Sequence, residues 1–370
     1  MKVLFLTFAY PTPENVTAGI FVKEHARAAS RAAEVAVVHL DRGGGRFSIE
    51  ETSDDEFRAI RVRYPRSKLA YALHFVGALR AFRRLQRTGF DPDVIHAHFF
   101  PAALPPLLLR PLFRKPVVVT EQWSVFLPED PATLSPLMLR VARAALARAE
   151  RVMPASDALR RGMVAQGIVA RYRVVPNVVD TTLFKPGTPA SRTTRTLLFV
   201  GLLYDAKGVD LLLEAVALLA ERGDFRLEIV GDGPLRREYE RLCATLGLGH
   251  VVSFLGLLPK PEVARRMSAA DVFVLTSRFD NNPCVLIEAQ ASGLPAVATP
   301  VGGIPEIVDE RAGVLAESGH PASIAAALEA VLEHLDRFDR KAISQRATAR
   351  FGTEAIGETL AAIYAEALSA

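Results

Sequence analysis

The feature that most constrains this chain is a regular alternation of short apolar runs with longer amphipathic segments. In the first half the apolar runs are KVLFLTF, EVAVVHL, DVIHAHFF, PVVVTEQ and RVMPAS, with helical periodicity between most of them. Short runs that are rich in β-branched residues and bounded by turn residues are typical of buried strands. This alternation predicts a parallel sheet with helices on both faces.

The alternation restarts after residues 184–195, which are rich in Pro, Gly, Ser and Thr and predict a linker. Beyond them come TLLFVG, RLEIVGDG, VVSFLG, VFVLTS and PAVATP, and several following helices begin at a proline, where proline is tolerated. We therefore expect two tandem doubly wound α/β domains, residues 1–185 and 186–350. RAIRVRYP predicts a strand near a sheet edge, and YRVVPN predicts a last strand in the first domain.

Three features bear on location. No apolar run approaches 18 residues, so we expect no membrane-spanning helix. The start MKVLFLTFAYPTPEN superficially resembles a signal peptide, but its apolar run is short and ends in a Pro-rich turn, which favours a first buried strand. The two cysteines, Cys243 and Cys284, predict neither a disulfide framework nor a zinc site and fit a reducing cytoplasm.

The charge is unevenly distributed along the chain. Residues 1–185 hold 27 Lys and Arg against 17 Asp and Glu, a net charge of +10, whereas the remainder carries −6. This asymmetry points to an anionic partner of the first half, such as nucleic acid, a phospholipid surface or a phosphorylated acceptor, or to ordinary variation in an Arg-rich chain.

Ligands of doubly wound sheets bind beyond the carboxyl ends of the strands, so polar residues that follow strands are candidates for a site. Lys207 follows TLLFVG and precedes a helix start, where free N–H groups and the helix dipole favour an anion. Asp280 and Glu288 follow VFVLTS, and carboxylates accept hydrogen bonds from vicinal hydroxyls of a ribose or hexose. Together these residues suit a nucleotide diphosphate that bears a sugar. The sequence contains neither a GxGxxG nor a Walker A motif.

Two histidines mark a strand of the first half. His96 and His98 share a strand face because side chains alternate with period two. A structural role is the commoner one for a strand histidine, but His98 lies nearer the strand end and is the better site candidate. No third ligand is evident for a metal.

Several motifs together resemble one known family. VGLLYDAKGVDLLLEA, LEIVGDGP, DNNPCVLIEAQASGLPAVATPVGGIPEIV and VVPNVVDTTLFKP are similar to the retaining family-4 glycosyltransferases of GT-B fold. The resemblance covers about residues 1–350 and is densest over 196–310. It implies two Rossmann-like domains that face a central cleft, with the nucleotide-sugar donor on the second domain and the acceptor on the first. It also implies that the final helix, at about 353–368, packs back on the first domain.

The resemblance assigns a role to individual residues. Lys207 would hold the diphosphate, Glu288 the ribose hydroxyls, and Asp280 would face the transferred sugar. His98 would lie beside the reacting carbon, and Gly19 near the donor phosphates. The other residues implied to line the donor site are Gly201, Asn281, Asn282, Pro283, Cys284, Val285, Gly302 and Gly303.

Three departures from the family pattern concern the diphosphate and its surroundings. Leu202 stands where the family usually has Arg, Asp280 where it usually has Glu, and Val178 where it usually has Gly. Loss of one charged donor can lower a rate by about 10²–10³, although Arg278 or an arginine of the first domain could replace the missing cation.

The expected function is a metal-independent, retaining transfer of a sugar from a nucleotide diphosphate to a glycan, a lipid-linked or another anionic acceptor, in cell-surface polysaccharide or glycolipid synthesis. No cofactor and no metal are expected. Alternatives are a nucleotide-sugar-binding protein with weak or no turnover, and a sugar phosphorylase or epimerase of the same fold.

The basic amphipathic helix expected at 69–87 allows two interpretations. It could contact an anionic membrane surface from the cytoplasm, or it could be a core-facing helix whose basic side is solvated. No nucleic-acid partner is expected.

Overall fold

The computed structural model describes residues 1–15, 17–43, 46–52, 54, 56–67, 70–187, 194–220 and 224–369. Contacts divide the chain into two compact units. Unit 1 comprises Met1–Val178 and Thr353–Ala370, and unit 2 comprises Val179–Gly352. Part of the predicted linker (188–193) and Leu69, the predicted first residue of the basic helix, lie outside the described residues.

Unit 1 is built on a seven-stranded sheet of order β3-β4-β2-β1-β5-β6-β7, in which only β3 is antiparallel to its neighbour. The strands are β1 Lys2–Thr7, β2 Glu34–Arg42, β3 Ser48–Thr52, β4 Arg58–Tyr64, β5 Val94–His98, β6 Val117–Glu121 and β7 Arg151–Pro154. The helices are α1 Ile20–Ser30, α2 Ala70–Arg87, α3 Phe100–Leu108, α4 Arg110–Phe113, α5 Pro136–Leu146, α6 Asp157–Ala165 and α13 Thr353–Ser369.

Unit 2 is built on a six-stranded parallel sheet of order β10-β9-β8-β11-β12-β13. The strands are β8 Arg195–Val200, β9 Phe225–Val230, β10 Val252–Gly256, β11 Val272–Leu275, β12 Ala296–Ala298 and β13 Gly313–Leu315. The helices are α7 Val209–Leu219, α8 Arg236–Thr245, α9 Lys260–Ala269, α10 Cys284–Ala291, α11 Pro321–Glu333 and α12 Arg340–Phe351. The predicted fold class, two doubly wound α/β domains, is confirmed.

Several details differ from the sequence expectations. YRVVPN is not a strand: Tyr172 forms only an isolated bridge with Val152. The Val175 N–H still donates to the Pro154 carbonyl oxygen at 3.0 Å, but Pro154 has no N–H to donate in return, so no longer ladder forms. The segment RAIRVRYP forms β4 and was expected near an edge of the sheet, but the antiparallel β3 pairs with it and is itself the edge strand. Helix α3 was not predicted because it contains Pro105 and Pro106, and α12 was not predicted either. In the described part of the chain, no helix is long and apolar enough to cross a membrane.

The terminal helix α13 packs in unit 1 against α1 and the sheet. Its Tyr364 hydroxyl lies 2.7 Å from His96 Nδ1 on β5. A Cβ at Gly357 would lie 2.6 Å from the Ala28 carbonyl oxygen on α1, so glycine permits the close approach of the two helices.

In each sheet the strand order reverses once, between β1 and β5 in unit 1 and between β8 and β11 in unit 2. The loops at the carboxyl ends of such a pair diverge to opposite faces and leave a crevice where ligands bind. The two crevices are therefore the first places to look for a site.

Candidate functional site

The crevice of unit 2 brings together two of the predicted site residues. Lys207 ends the turn after β8, and Asp280 lies in the loop after β11. The Lys207 ammonium donates to Asp280 Oδ2 at 2.5 Å, and the two side chains are 24% and 14% exposed. The structure thus places a cation and a carboxylate in contact, partly screened from water, at the carboxyl edge of the sheet.

Backbone contacts fix the position of this lysine. Gly208, which follows it and precedes α7, has φ +59°, and a Cβ there would lie 2.2 Å from the Thr276 carbonyl oxygen. The Thr276 hydroxyl donates to the Gly208 carbonyl at 2.8 Å, and the Arg278 N–H donates to the Ala206 carbonyl at 2.8 Å. The loops after β8 and β11 are therefore tied together on both sides of the ion pair.

A third loop, after β12, joins the same edge. The Gly303 N–H donates to the Asp280 carbonyl oxygen at 3.3 Å, and Gly302 adopts φ +51°, which favours glycine. On the other side, Gly201 donates from its N–H to Val230 at 3.0 Å. A Cβ at Gly231 would lie 1.8 Å from the Gly201 carbonyl oxygen, so the turns after β8 and β9 pack backbone against backbone.

Glu288 lies in α10 and faces a cation that sequence reasoning did not identify. Its Oε1 lies 3.7 Å from the Lys260 ammonium on α9, and its side chain is 12% exposed. Lys260 also lies over the Phe184 ring at 5.6 Å. Because the two residues are 28 positions apart in the chain, no local pattern links them. The pair explains how α10 holds a carboxylate among apolar neighbours.

The remaining donor-site candidates surround the start of α10. Pro283 is the residue before the helix, as predicted. Asn281 and Asn282 are buried, with 7% and 6% exposure, whereas Cys284 and Val285 are half-buried. These residues form the loop after β11 and the first turn of α10.

Arg278, the candidate to replace the arginine that the family usually has at position 202, is already paired in the structure. Its guanidinium binds Asp210 in the first turn of α7 through two hydrogen bonds, of 2.9 Å and 2.5 Å. Hydrogen bonding to Asp210 raises the pKa of Arg278, and Asp210 neutralises its charge. Leu202 itself is 46% exposed. Arg278 would therefore have to leave Asp210 to bind a phosphate, and its role as a substitute cation stays a prediction.

In unit 1, His98 ends β5 at the crevice. It is 1% exposed, and its ring stacks on His96 at 4.6 Å and on Phe5 at 5.3 Å. Within the described ranges, neither ring nitrogen has a hydrogen-bond partner. Burial lowers the pKa of His98 well below its usual value, so the imidazole is neutral. A neutral imidazole can donate one hydrogen bond and accept another.

His96 has a structural role. Its Nδ1 lies 2.7 Å from the Tyr364 hydroxyl and its Nε2 lies 2.7 Å from the Thr120 hydroxyl, so both ring nitrogens are satisfied. The stacking of His96 on His98 confirms that the two share a strand face. In the parts of the chain that the structure describes, no group of three or more His, Cys, Asp or Glu side chains could hold a metal ion.

Gly19 precedes α1 and has φ +63°. A Cβ at this position would lie 2.2 Å from the Ala9 carbonyl oxygen. Glycine is therefore required by the close approach of two backbone segments in the loop after β1. Its proximity to donor phosphates stays a prediction.

Sequence reasoning missed Glu121, which ends β6 and is fully buried. Its carboxylate accepts hydrogen bonds from the N–H groups of Phe100 at 2.9 Å, Gln122 at 3.0 Å and Trp123 at 2.9 Å. These donors favour the ionised form, but burial outweighs them and raises the pKa to about 7. Glu121 therefore holds the loops after β5 and β6 together. A lone carboxylate at the end of VVVTEQ was the signal in the sequence.

Comparisons with known proteins agree for both halves of the chain. Residues 194–334 match the family described as "Glycosyl transferases group 1", and residues 18–178 match the "Glycosyl transferase 4-like domain". The chain is 31% identical over 328 residues to D-inositol 3-phosphate glycosyltransferase of Corynebacterium aurimucosum, a match that covers 80% of this chain and 76% of the relative.

Two solved structures are similar in fold. Sucrose-phosphate synthase from Thermosynechococcus elongatus aligns with a TM-score of 0.79 and 24% identity, over 100% of this chain and 99% of its own. The Anabaena protein HepE, solved in complex with UDP, aligns with a TM-score of 0.77 and 20% identity, over 98% of this chain and 99% of its own.

Proposed function

The chain belongs to the family-4 glycosyltransferases of GT-B fold, and on that premise we propose that it transfers a sugar from a nucleotide diphosphate with retention of configuration and without a metal. The observation that carries the proposal is the position of Lys207 at the start of α7, in the crevice between β8 and β11. An ammonium group and a helix start together favour a diphosphate at this edge.

In the proposed reaction the protein positions the substrates and stabilises charge. Lys207 leaves Asp280 to bind the departing diphosphate, and the N-terminus of α7 supports the same charge. The diphosphate accepts the proton of the acceptor hydroxyl on the face from which it departs, so no nucleophilic side chain is required. Neutral His98 orients the sugar by a hydrogen bond, which suits an imidazole whose nitrogens are unpaired among the described residues.

Donor recognition is assigned to the loop after β11 and to α10. Glu288 accepts hydrogen bonds from the ribose hydroxyls, and Asp280 faces the transferred sugar. Gly302 and Gly303 line the donor-binding site. HepE binds UDP, which supports a nucleotide diphosphate as the leaving group here.

A second candidate function is nucleotide-sugar binding with weak or no turnover. The contacts of the cations favour it: Lys207 is paired with Asp280, Arg278 is paired with Asp210, and Leu202 brings no charge. Both candidates predict donor binding, and they differ only in the release of nucleotide.

We expect nucleotide release and sugar transfer to persist in excess chelator. The physical reason is that Lys207 and the start of α7 supply the charge that a metal supplies elsewhere. The measurement is nucleotide release from a panel of nucleotide-sugars with and without acceptors, with chelator or with Mg²⁺ or Mn²⁺, followed by anomeric analysis of the product. Activity that chelator abolishes and metal restores would contradict the proposal, and tight donor binding without release would favour the second candidate.

For the acceptor, we propose a glycan or lipid-linked molecule that meets the basic side of α2 at the inner face of an anionic membrane. The apolar face of α2 is buried against the sheet, with Phe82 and Leu85 in the core, so this helix cannot insert an apolar side into a bilayer. The opposite side carries Arg80, Arg83 and Arg87 along one concave surface. Any contact of α2 with a membrane must therefore be electrostatic.

We expect Arg80→Gln, Arg83→Gln and Arg87→Gln together to weaken binding to anionic vesicles by about 100-fold at low salt, since each basic residue near such a surface contributes about 1 kcal/mol. Co-sedimentation with phosphatidylserine-containing vesicles at low and high salt measures this. Arg84 is left intact, because its guanidinium donates to the Ile49 carbonyl at 3.0 Å and so supports β3.

The matched control replaces three exposed arginines elsewhere in unit 1 by glutamine: Arg114, Arg140 and Arg148. Its net charge therefore equals that of the first triple variant. Both triple variants should bind nucleotide-sugar like the parent protein. Equal vesicle binding by the two variants would leave α2 as a core helix with a solvated basic side.

A further inference from the structure

Unit 1 contains a cavity at the carboxyl edge of its sheet that the donor site does not use. Its volume is about 490 Å³, which is in the range of small-molecule sites. It is lined by residues at or after the ends of five strands and by the first turns of α2. The residues that matter for its chemistry are Phe8, Arg42, Tyr64, His74, Leu104 and Trp123.

The wall of the cavity is predominantly apolar and aromatic. Tyr64 and Leu104 are buried, with 2% and 5% exposure, and Phe8 stacks on the His74 ring at 5.0 Å. Two further aromatic side chains that line the cavity are open to solvent: Tyr71 is 57% exposed and Trp123 is 41% exposed. Exposed aromatic surface beside an apolar cavity is typical of a ligand site.

His74 adds a buried polar atom without a partner at the cavity wall. Its Nε2 lies 3.1 Å from the Pro101 carbonyl oxygen and so carries the proton. Its Nδ1 has no hydrogen-bond partner among the described residues, and burial lowers the pKa of the ring to about 4. His74 Nδ1 can therefore accept one hydrogen bond from a ligand hydroxyl, but a polyol brings more hydroxyls than this mainly apolar wall can pair, which is unfavourable.

Among the residues that the structure describes, one cation, Arg42, lines the cavity. Arg42 ends β2, is exposed to solvent and makes no ion pair with any residue in the described ranges. It is therefore free to bind an anionic group at the mouth while the rest of the ligand enters the apolar interior.

We propose that this cavity binds the acceptor, and that the acceptor is an amphiphile whose apolar body fills the cavity and whose anionic group binds Arg42. The inference rests on the proposed function, because it takes the bound molecule to be the one that receives the sugar. It narrows the acceptor from the glycan, lipid-linked and anionic classes to a molecule with an apolar portion and a nearby phosphate or carboxylate.

Trp123 allows a direct test, since it is the only tryptophan of the chain. We expect cyclohexyl phosphate to shift its fluorescence in a saturable manner. An inositol monophosphate, with the same ring but hydroxylated, should bind at least about tenfold more weakly, because its hydroxyls lack partners. Cyclohexanol should bind about fivefold more weakly than its phosphate, because it lacks the anionic group.

The variant Arg42→Gln should lower the affinity for cyclohexyl phosphate about fivefold and leave that for cyclohexanol unchanged. Arg42 is exposed, so the fold should survive. Arg46→Gln is the matched control, because Arg46 lies four residues further along the chain, is exposed and is not among the residues that line the cavity. An equal response of the two variants would overturn the role of Arg42.

Three other outcomes are decisive. Inositol phosphate binding as tightly as cyclohexyl phosphate would overturn the apolar acceptor, and unchanged Trp123 fluorescence with every probe would overturn the site.

In the transfer assay, cyclohexyl phosphate should raise the KM of the acceptor and not that of the nucleotide-sugar, and the reverse would overturn the acceptor assignment. Thermal shift with a panel of nucleoside diphosphates reports on the donor site separately. Failure of the whole panel counts against the proposed function, whereas binding of one of them with an empty cavity counts against this inference alone.

Discussion

Replacing Lys207 by alanine should lower kcat/KM for sugar transfer by about 10²–10³-fold, the cost of removing one charged donor from a developing anion. The backbone beside Lys207 is held at the start of α7 by the close packing of Gly208 against Thr276. Arg278, the nearest alternative identified from the sequence, is bound to Asp210. The measurement is initial rate of nucleotide release as a function of donor concentration.

This variant also leaves the Asp280 carboxylate, 14% exposed, without its ammonium partner. The double variant Lys207→Ala, Asp280→Asn removes that unpaired charge and separates a stability effect from a catalytic one. Lys341→Ala, an exposed lysine on α12 of the same unit, should behave like the parent protein. A Lys207→Ala variant that keeps full activity would remove this residue from the diphosphate site.

Replacing Glu288 by alanine should weaken nucleotide-sugar binding by roughly ten- to hundredfold, since a hydrogen bond to a charged group contributes about 1.5–3 kcal/mol. The fold should survive, because α10 packs through its buried residues Leu286 and Ile287, which the substitution does not touch. Isothermal titration with the best nucleotide-sugar of the product assay measures the effect.

Two controls accompany this experiment. Glu238→Ala removes an exposed carboxylate from α8 of the same unit and should leave affinity unchanged. Lys260→Met tests whether the nearby ammonium, 3.7 Å from Glu288, only positions the carboxylate, in which case it should weaken binding less than Glu288→Ala. Unchanged donor affinity in Glu288→Ala would exclude this residue from the site.

Most strands and helices were predictable from the sequence, because each is encoded by the periodicity and turn residues of a short stretch of chain. Apolar runs such as TLLFVG and VFVLTS gave β8 and β11, and Pro283 marked the start of α10. The predictions failed where a local rule was overridden. Proline signals normally end a helix, yet α3 continues through Pro105 and Pro106. YRVVPN has a strand-like composition, but only an isolated bridge forms there.

The candidate site divides in the same way. In the sequence, Lys207 and Asp280 each follow a predicted strand. Because the strands are parallel, both residues must lie at the same edge of the sheet. The direct contact of Lys207 with Asp280 depends on how the loops after β8 and β11 pack against each other. The pairing of Arg278 with Asp210 depends on the same packing. Glu121 shows the same limit, because its pKa of about 7 results from burial beneath two loops.

By itself, the sequence determined the fold class, most of the central strands and the family, because hydrophobic periodicity, turn residues and ordered motifs are local properties of the chain. The tertiary structure alone decided which charges are already neutralised and which polar atoms are buried without partners. It showed that Lys260 faces Glu288, that Arg278 is not a free cation, and that Arg42 lies at the mouth of an apolar cavity. The physical reason is that Coulomb interactions and desolvation depend on distances between residues far apart in the chain, and those distances exist only once the strands have paired.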